Sequence, residues 1–180
     1  MLKVVAGKYR SRLLEVPSFA TIPTKNRVRE AMLSMVNAFI PNSRVLDCFA
    51  GSGALGIETL SRGASFCLFI DSSKEAYEII QKNLNSLRET NAEVLHEDFK
   101  CALSKQTLPF DIVFLDPPYA DKGFYNEALR ILKEKNLLSP SAILLLEYEG
   151  ELPPLEEGYV VQKEKSYGYT KLLRLRREAQ

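Results

Sequence analysis

Histidine and cysteine are scarce in this chain of 180 residues, and their scarcity argues against several kinds of site. His96 is the single histidine, whereas a histidine-ligated zinc site needs several ligands. A Ser-His-Asp relay would have to use His96 itself, so we expect a partly exposed residue at a strand end with no catalytic role. Cys48, Cys67 and Cys101 form no C-x-x-C pair, which predicts buried, reduced thiols in a cytoplasmic protein without a metal site.

Long apolar runs are also missing. No run approaches the roughly 20 residues that a membrane-spanning helix requires, and the N-terminus lacks the apolar stretch of a signal peptide. The length suits one domain with a single core. No long apolar surface demands a partner, so we expect a monomer that does not interact with membranes.

The net charge is only +1, but the charges are unevenly distributed. Residues 1–30 carry seven basic side chains against two acidic ones, and residues 163–177 carry six against one. The remaining middle of the chain is acidic. Two basic ends are compatible with a polyanionic partner, although solvated charge without a partner explains them equally well on charge alone.

Strand-like and helical segments alternate from residue 44 onward, which predicts right-handed βαβ units on a parallel, doubly wound sheet. We therefore expect a Rossmann-like α/β domain over residues 43–180. Residues 1–42 form an extension with a short hairpin and a helix, for which Thr24 is the expected cap. An antiparallel hairpin turning at Tyr167-Gly168-Tyr169 is expected at the sheet edge. The predicted strands are 44–48, 66–70, 92–96, 112–115 and 142–147, and the predicted helices are 54–62, 73–88, 99–104 and 122–136.

A glycine-rich loop follows the first strand of the α/β domain. Gly51, Gly53 and Gly56 match G-x-G-x-x-G, which lets a backbone turn tightly and approach a ligand. The pattern alone fits NAD, FAD and S-adenosylmethionine equally. Asp47, at the end of the strand, suits the cationic methionine ammonium group of S-adenosylmethionine and would repel a pyrophosphate.

Two further acidic residues follow the next two strands. Asp71 is placed to accept hydrogen bonds from ribose hydroxyls, and Asp98 to accept one from an adenine amino group. A helix cap is a credible alternative for Asp98 and a weaker one for Asp71. With Phe49 of the loop, the candidate cofactor-binding residues are Asp47, Phe49, Gly51, Gly53, Asp71 and Asp98.

The tetrapeptide Asp116-Pro117-Pro118-Tyr119 follows another buried strand and should lie on the same rim of the sheet. Its prolines keep the backbone extended, leaving the Pro117 carbonyl beside the Asp116 carboxylate as two acceptors. Such a pair can hold the hydrogens of an exocyclic base amine and direct its lone pair at a methyl donor, while Tyr119 stacks on the base. Asp116, Pro117 and Tyr119 are the candidate catalytic residues.

Taken together, the motifs resemble the RsmD-type 16S ribosomal RNA guanine-N2 methyltransferases over almost the whole chain. The glycine loop and Asp-Pro-Pro-Tyr are typical of amino methyltransferases in general. The narrower resemblance rests on Ala6-Gly7-Lys8-Tyr9-Arg10, on Pro23-Thr24, on Arg27-Val28-Arg29-Glu30-Ala31, and on Tyr167-Gly168 with Thr170. Ile22 and Ser11 depart from the residues usual in the family, Arg and Gly respectively.

The resemblance implies a seven-stranded fold, S-adenosylmethionine as cofactor, no metal, and methylation of one guanine of the small ribosomal subunit. It also implies that residues 24–29 close over the site. The candidate substrate-binding residues are Lys8, Arg10, Arg12, Thr24, Arg27 and Arg29, with the basic ones contacting phosphates.

Other functions remain open from the sequence. A DNA adenine-N6 methyltransferase would use the same tetrapeptide, although this chain has no room for a separate domain that reads DNA sequence. A non-catalytic nucleotide-binding module and an NAD-dependent dehydrogenase are further alternatives, and the position of Asp47 argues against the dehydrogenase.

Overall fold

The computed structural model describes residues 1–19, 23–117 and 123–179. A seven-stranded sheet forms its centre. In chain order its strands are β3 (Arg44–Cys48), β4 (Phe66–Asp71), β5 (Ala92–His96), β6 (Phe110–Leu115), β7 (Leu138–Glu149), β8 (Tyr159–Tyr167) and β9 (Thr170–Arg177). Their order across the sheet is β5-β4-β3-β6-β7-β9-β8. The first five are parallel, and β9 pairs antiparallel with both β7 and β8. The predicted Rossmann-like α/β fold is confirmed, including the hairpin that ends the sheet.

In the described ranges five α-helices accompany the sheet: α1 (Pro23–Val36), α2 (Ala54–Ser61), α3 (Lys74–Leu87), α4 (Phe99–Ser104) and α5 (Gly123–Glu134). A short 3-10 helix, Asn37–Phe39, follows α1. The helix α3 shows how sequence dictates its position: Ser73 caps it by accepting a hydrogen bond from the Ala76 N–H, and Ala76, Ile80 and Leu84 turn one apolar face to the core.

Two apolar cores cover the two faces of the sheet. One is built on Leu46, Leu68 and Val113 with helices α4 and α5. The other contains Val45 and Phe69, among others, and includes residues from α1, α2 and α3. Because parallel strands buried on both faces need apolar side chains in both directions, their sequences are nearly continuous apolar runs.

The N-terminal extension packs into the second of these cores. Its two-residue strands β1 (Leu2–Lys3) and β2 (Leu13–Leu14) pair antiparallel. They are shorter than the two strands of the hairpin that the sequence predicts over residues 2–6 and 9–16. Val4, Leu14 and Met32 are buried in the same cluster as the sheet residues. The described part of the extension thus shares a core with the sheet, and the predicted boundary between residues 42 and 43 stays a prediction.

Two predictions of local structure need correction. The helix α1 begins at Pro23, so Thr24 lies in its first turn and not at its cap; the side chain of Thr24 lies outside the described part of the chain. Proline suits a first helical position because its missing N–H would have no partner there. Cys101 is exposed on α4, while Cys48 and Cys67 are buried as predicted, and all three are free thiols.

Across residues 1–19, 23–117 and 123–179, no helix combines the length and the apolar character that crossing a membrane requires. Within the same ranges no cluster of three or more His, Cys, Asp and Glu side chains could hold a metal ion. His96 lies exposed at the end of β5, where its ring stacks on Tyr77 at 5.5 Å between centroids.

Candidate active site

A cavity of about 830 Å³ opens at the carboxyl ends of the parallel strands. Its wall includes the glycine loop after β3, the ends of β4 and β5, and the Asp116-Pro117 segment after β6. Ligands of open α/β sheets bind at this rim. The two motifs that the sequence singled out therefore meet in one cavity.

The glycine loop is shaped by three residues in the left-handed region. Phe49, Gly51 and Gly53 have φ angles of 65°, 60° and 76°. The Gly51 N–H donates to Oδ2 of Asp71 over 2.8 Å, and a Cβ at Gly51 would meet no heavy atom within 4 Å. A non-glycine residue at positive φ is uncommon, and Phe49 holds this conformation on the cavity wall.

The other two glycines serve packing. A Cβ at Gly53 would lie 3.1 Å from the Ile80 side chain, and one at Gly56 would lie 2.3 Å from the Phe69 ring. Gly53 caps α2, and Gly53 and Gly56 are not among the described residues that line the cavity. Gly53 thus lets α2 lie close to the sheet, and its contact with a cofactor stays a prediction.

Asp47 also lies deeper than predicted. It is 2% exposed, and its Oδ2 accepts the Gly56 N–H over 3.0 Å. Burial raises the pKa of Asp47 to about 8, against the opposing effect of that hydrogen bond. Asp47 is not among the described residues that line the cavity. Its carboxyl supports the glycine loop through the Gly56 N–H, and its contact with an ammonium group stays a prediction.

Asp71 and Asp98 line the cavity as predicted, and both also hold backbone. Asp71 accepts the N–H groups of Gly51 and Ser73, each over 2.8 Å. Asp98 caps α4 by accepting the Lys100 N–H over 2.9 Å. A carboxylate has about four acceptor positions, so these bonds are compatible with additional contacts to a ligand.

Three phenylalanines form an aromatic cluster on the cavity wall. The ring centroids of Phe49 lie 5.0 Å from Phe99 and 5.8 Å from Phe124, and Phe99 and Phe124 are 5.3 Å apart. All three line the cavity. Flat apolar walls of this kind suit a heterocyclic ring.

Asp116 faces a second carboxyl group. Glu147, near the end of β7, is 5% exposed and lines the same cavity as Asp116 and Pro117. The side chains of Asp116 and Glu147 are hydrogen-bonded, and burial followed by the charge of Glu147 raises the pKa of Asp116 well above its usual value. Lys25, from α1, counters this effect. Tyr119 lies outside the described residues.

The predicted substrate-binding residues of the hairpin lie far from this cavity. The Lys8 N–H donates to the Ser61 carbonyl at the end of α2, and its ammonium group pairs with Glu89 at 2.9 Å, which raises the pKa of Lys8. Arg10 is exposed in the same turn, and Arg12 donates to the Ser86 carbonyl in the last turn of α3. Since helices of βαβ units run back across the sheet, these ends lie on the opposite rim, about 20 Å away along a helix of 14 residues.

The helix α1 does reach the cavity. Lys25, Asn26 and Arg29 line it, and Arg29 is half-buried with its Nη2 3.5 Å from the Lys3 carbonyl. Burial lowers the pKa of Arg29. Arg27 is exposed on the outer side of α1. Contacts of these residues and of the hairpin with RNA stay predictions.

Sequence reasoning missed several residues of the cavity. Glu147 directly follows the apolar run of β7. The signal that could have revealed it is an acidic residue at the end of the strand beside β6, which is the strand that leads to Asp116. Phe99 directly follows Asp98, and Phe124 lies in the first turn of α5. Phe19 and Val16 of the extension also line the cavity, without any motif to mark them.

The chain matches the family described as "Conserved hypothetical protein 95" over residues 2–176. It is 34% identical to Ribosomal RNA small subunit methyltransferase D of Escherichia coli over 182 residues, covering 99% of this chain and 91% of the relative. The solved structure of yhhF from Escherichia coli superposes with a TM-score of 0.91 at 34% identity and covers 99% of both chains.

A more distant structure shows the same fold in a ligand complex. SMU.776, solved with SAH, has a TM-score of 0.68 at 14% identity and covers 86% of this chain and 50% of that one. The seven-stranded sheet and the cavity at its carboxyl rim agree with these comparisons. The chain therefore belongs to the Conserved hypothetical protein 95 family, the family of ribosomal RNA small subunit methyltransferase D.

Proposed function

We propose that this protein transfers a methyl group from S-adenosylmethionine to the exocyclic N2 amine of one guanine in the 16S rRNA of the small ribosomal subunit. The observation that carries the proposal is the meeting of Asp116 and Pro117 with the glycine loop in one cavity. Membership of the ribosomal RNA small subunit methyltransferase D family supports the RNA substrate.

The cavity wall fits the chemical parts of the proposed cofactor. Asp71 and Asp98 offer carboxylates at the ends of β4 and β5, suited to ribose hydroxyls and an adenine amine. Phe49 and Phe99 offer apolar faces for the adenine ring. No heavy atom lies within 4 Å of the position that a Cβ of Gly51 would take, so a ligand can approach the backbone there.

Asp116 and Pro117 would act on the base. The amine of guanine is a weak nucleophile because its lone pair is delocalised into the ring. The Asp116 carboxyl and the Pro117 carbonyl accept its two hydrogens, which favours a pyramidal nitrogen with its lone pair aimed away from them. As the N–C bond forms, the nitrogen becomes cationic, and its surplus proton passes to the hydrogen-bonded carboxyl pair of Asp116 and Glu147, which shares one proton beforehand and holds two afterwards.

When bound, S-adenosylmethionine supplies an electrophilic methyl on a sulfonium sulfur and leaves as the neutral thioether, so the C–S bond breaks as the N–C bond forms. The apolar surroundings of Phe49 and Phe124 keep water away from this step. Lys25 and Arg29 at the cavity wall would hold phosphates beside the target nucleotide. In the proposal Tyr119 stacks on the base, and the protein acts as a cytoplasmic monomer.

The test is methylation by the purified protein with labelled S-adenosylmethionine. Small ribosomal subunits, naked 16S rRNA and double-stranded DNA are offered separately, and the products are digested to nucleosides for mass spectrometry. We expect N2-methylguanosine from the ribosomal substrate only. N6-methyladenine from DNA would replace the proposal by the DNA adenine methyltransferase alternative.

A matched pair of variants assigns the chemistry. Asp116→Asn should lower kcat by about 10²- to 10³-fold, as loss of one preorganised electrostatic group does. Asp111→Asn, on the same strand but away from the cavity, should leave kcat within about twofold. Full activity of Asp116→Asn would contradict the proposed role of this carboxyl.

A further inference from the structure

Glu147 stands beside Asp116 because of the register of two strands. Leu115 of β6 pairs with Leu146 of β7, so the residues that follow, Asp116 and Glu147, lie side by side on neighbouring parallel strands about 4.8 Å apart. Their side chains are hydrogen-bonded to each other. The hydroxyl of buried Tyr125 donates to the Glu147 carbonyl, which fixes the backbone at this point. The pair is thus held by the sheet and not by a loop.

In the methyl transfer described above, one carboxyl group, that of Asp116, holds the base amine. A second one, 5% exposed and next to the first, is costly to bury, since two neighbouring carboxyls disfavour each other's ionisation. Groups of this kind cluster at functional sites. Glu147 also lines the cavity, where a substrate base would lie against it.

The edge of guanine explains what two adjacent carboxyls can do. Guanine presents its N2 amine and its N1–H side by side, so it offers two neighbouring groups of donors. Adenine presents an amine beside a bare N1, which is an acceptor. Base-modifying enzymes read an extruded base at this edge by hydrogen bonds.

We infer that Glu147 is the residue that selects guanine, by accepting the N1–H of the base while Asp116 and the Pro117 carbonyl hold its N2 amine. The inference rests on the proposed function and names the specificity residue of that site. A carboxyl group has two oxygens with about four acceptor positions, so the bond with Asp116 is compatible with a bond to N1–H. Adenine would instead place its N1 lone pair against the Glu147 carboxyl and leave both unpaired, which a buried site penalises strongly.

The test uses 2-aminopurine at the methylated position of 16S rRNA, introduced by ligating a synthetic segment. This base keeps the amine at C2 but has a bare N1. For the wild-type protein we expect kcat/KM to be about 10- to 100-fold lower on 2-aminopurine than on guanine, the loss that follows when a hydrogen bond to a charged group is missing. A ratio below about twofold would overturn the inference without any variant.

The variant Glu147→Gln then isolates the residue. Its amide can donate to the bare N1 of 2-aminopurine, so the guanine preference should fall to within about threefold, through slower reaction on guanine, faster reaction on 2-aminopurine, or both. Because 2-aminopurine also lacks O6, the informative quantity is the change in the guanine preference between wild type and variant. Glu149→Gln is the matched control, since Glu149 is exposed two residues along the same strand, and it should retain the wild-type preference.

The possible results separate this inference from the proposed function. If the wild-type protein methylates guanine but Glu147→Gln keeps the full wild-type preference, Glu147 does not read N1 and the inference is overturned, while the proposed function stands. If no guanine of 16S rRNA is methylated by the wild-type protein, both fail together. A preference that collapses in Glu147→Gln alone supports the inference.

Discussion

Replacing Gly56 by alanine should destabilise the protein, although alanine is the better helix former. Gly56 lies in α2, where its Cα faces the sheet. A Cβ there would lie 2.3 Å from Cε1 of Phe69 and 2.6 Å from Sγ of Cys67. Both neighbours are fully buried, so neither can swing into solvent to make room.

The magnitude follows from two opposing effects. Ordinary van der Waals contacts of a Cβ lie at 3.4–4 Å, so the Phe69 ring or α2 must shift by about 1 Å. Forcing a methyl into a packed core costs about 1–3 kcal/mol, and so short a contact belongs at the upper end of that range. Alanine recovers up to about 1 kcal/mol through helix propensity. The net loss of about 2 kcal/mol corresponds to a fall in Tm of about 4–8 °C for a domain of this size.

The assay is thermal unfolding by calorimetry, with urea unfolding to check that the slope m is unchanged. Gly51→Ala provides the comparison, because its Cβ would meet no heavy atom within 4 Å and only its φ of 60° opposes alanine. We expect it to cost about 1 kcal/mol. A Gly56→Ala protein as stable as the wild type, or less affected than Gly51→Ala, would refute the assignment of Gly56 to packing.

Two further predictions concern buried acids. Burial raises the pKa of Asp47 in the folded protein to about 8, so the cost of keeping this residue buried grows as the pH rises from about 4 to about 8. The Tm of the wild type should therefore fall relative to that of Asp47→Asn over this interval. Tm curves that stay parallel would contradict the prediction. Glu58 is buried, accepts the Val5 N–H over 2.5 Å and pairs with Arg62 at 3.3 Å. Glu58→Ala should therefore lower the free energy of unfolding, measured in urea, by about 2–3 kcal/mol and make the Val5 amide exchange faster. An unchanged exchange rate would show that Glu58 does not hold the backbone that follows β1.

The sheet was predictable from the sequence because buried parallel strands carry a strong local signal. The strand predicted at residues 44–48 matches β3, and that at 92–96 matches β5. Errors arose where tertiary packing decides. The prediction for β7 began at residue 142, whereas the strand runs from Leu138 with an irregular register beside Phe110. The polar Ser139-Pro140-Ser141 stretch within it resembles a loop, and it lies where the ladder with β6 is irregular, between the pairs Phe110–Leu138 and Ile112–Ile143.

The candidate site was predictable in part. Asp116, Pro117, Asp71 and Asp98 line the cavity because strand ends on one rim must converge, which is a property of the topology. How deeply each of these side chains is buried could not be predicted from the sequence. Asp47 lies in the strand that leads into the glycine loop, yet its carboxyl accepts the Gly56 N–H and is not among the described groups that line the cavity. Whether an acid at a strand end faces ligand or backbone depends on the turn that follows it.

The N-terminal extension forms part of the cavity wall and is hydrogen-bonded to the helices beside it, while the closing of residues 24–29 over the site stays a prediction. Its hairpin is attached to α2 through Ser61, whose hydroxyl donates to the Ala6 carbonyl and accepts the Tyr9 N–H. The segment after the hairpin is held on α3 by Asn83, whose side-chain amide accepts the Glu15 N–H and donates to the Glu15 carbonyl. The same Asn83 donates to the Ser52 carbonyl in the glycine loop.

Through these contacts, the extension and the glycine loop are parts of one hydrogen-bonded structure. The sheet brings Asp116 to the rim, as the fold requires, and Phe19 and Lys25 of the extension line the same cavity. In the proposed function, charge on the hairpin turn adds to RNA affinity only at the distant rim. In the proposed function, the cavity wall then selects the nucleotide. The RNA is selected by a surface that extends from the cavity to the hairpin turn on the opposite rim, a distance of at least one helix length.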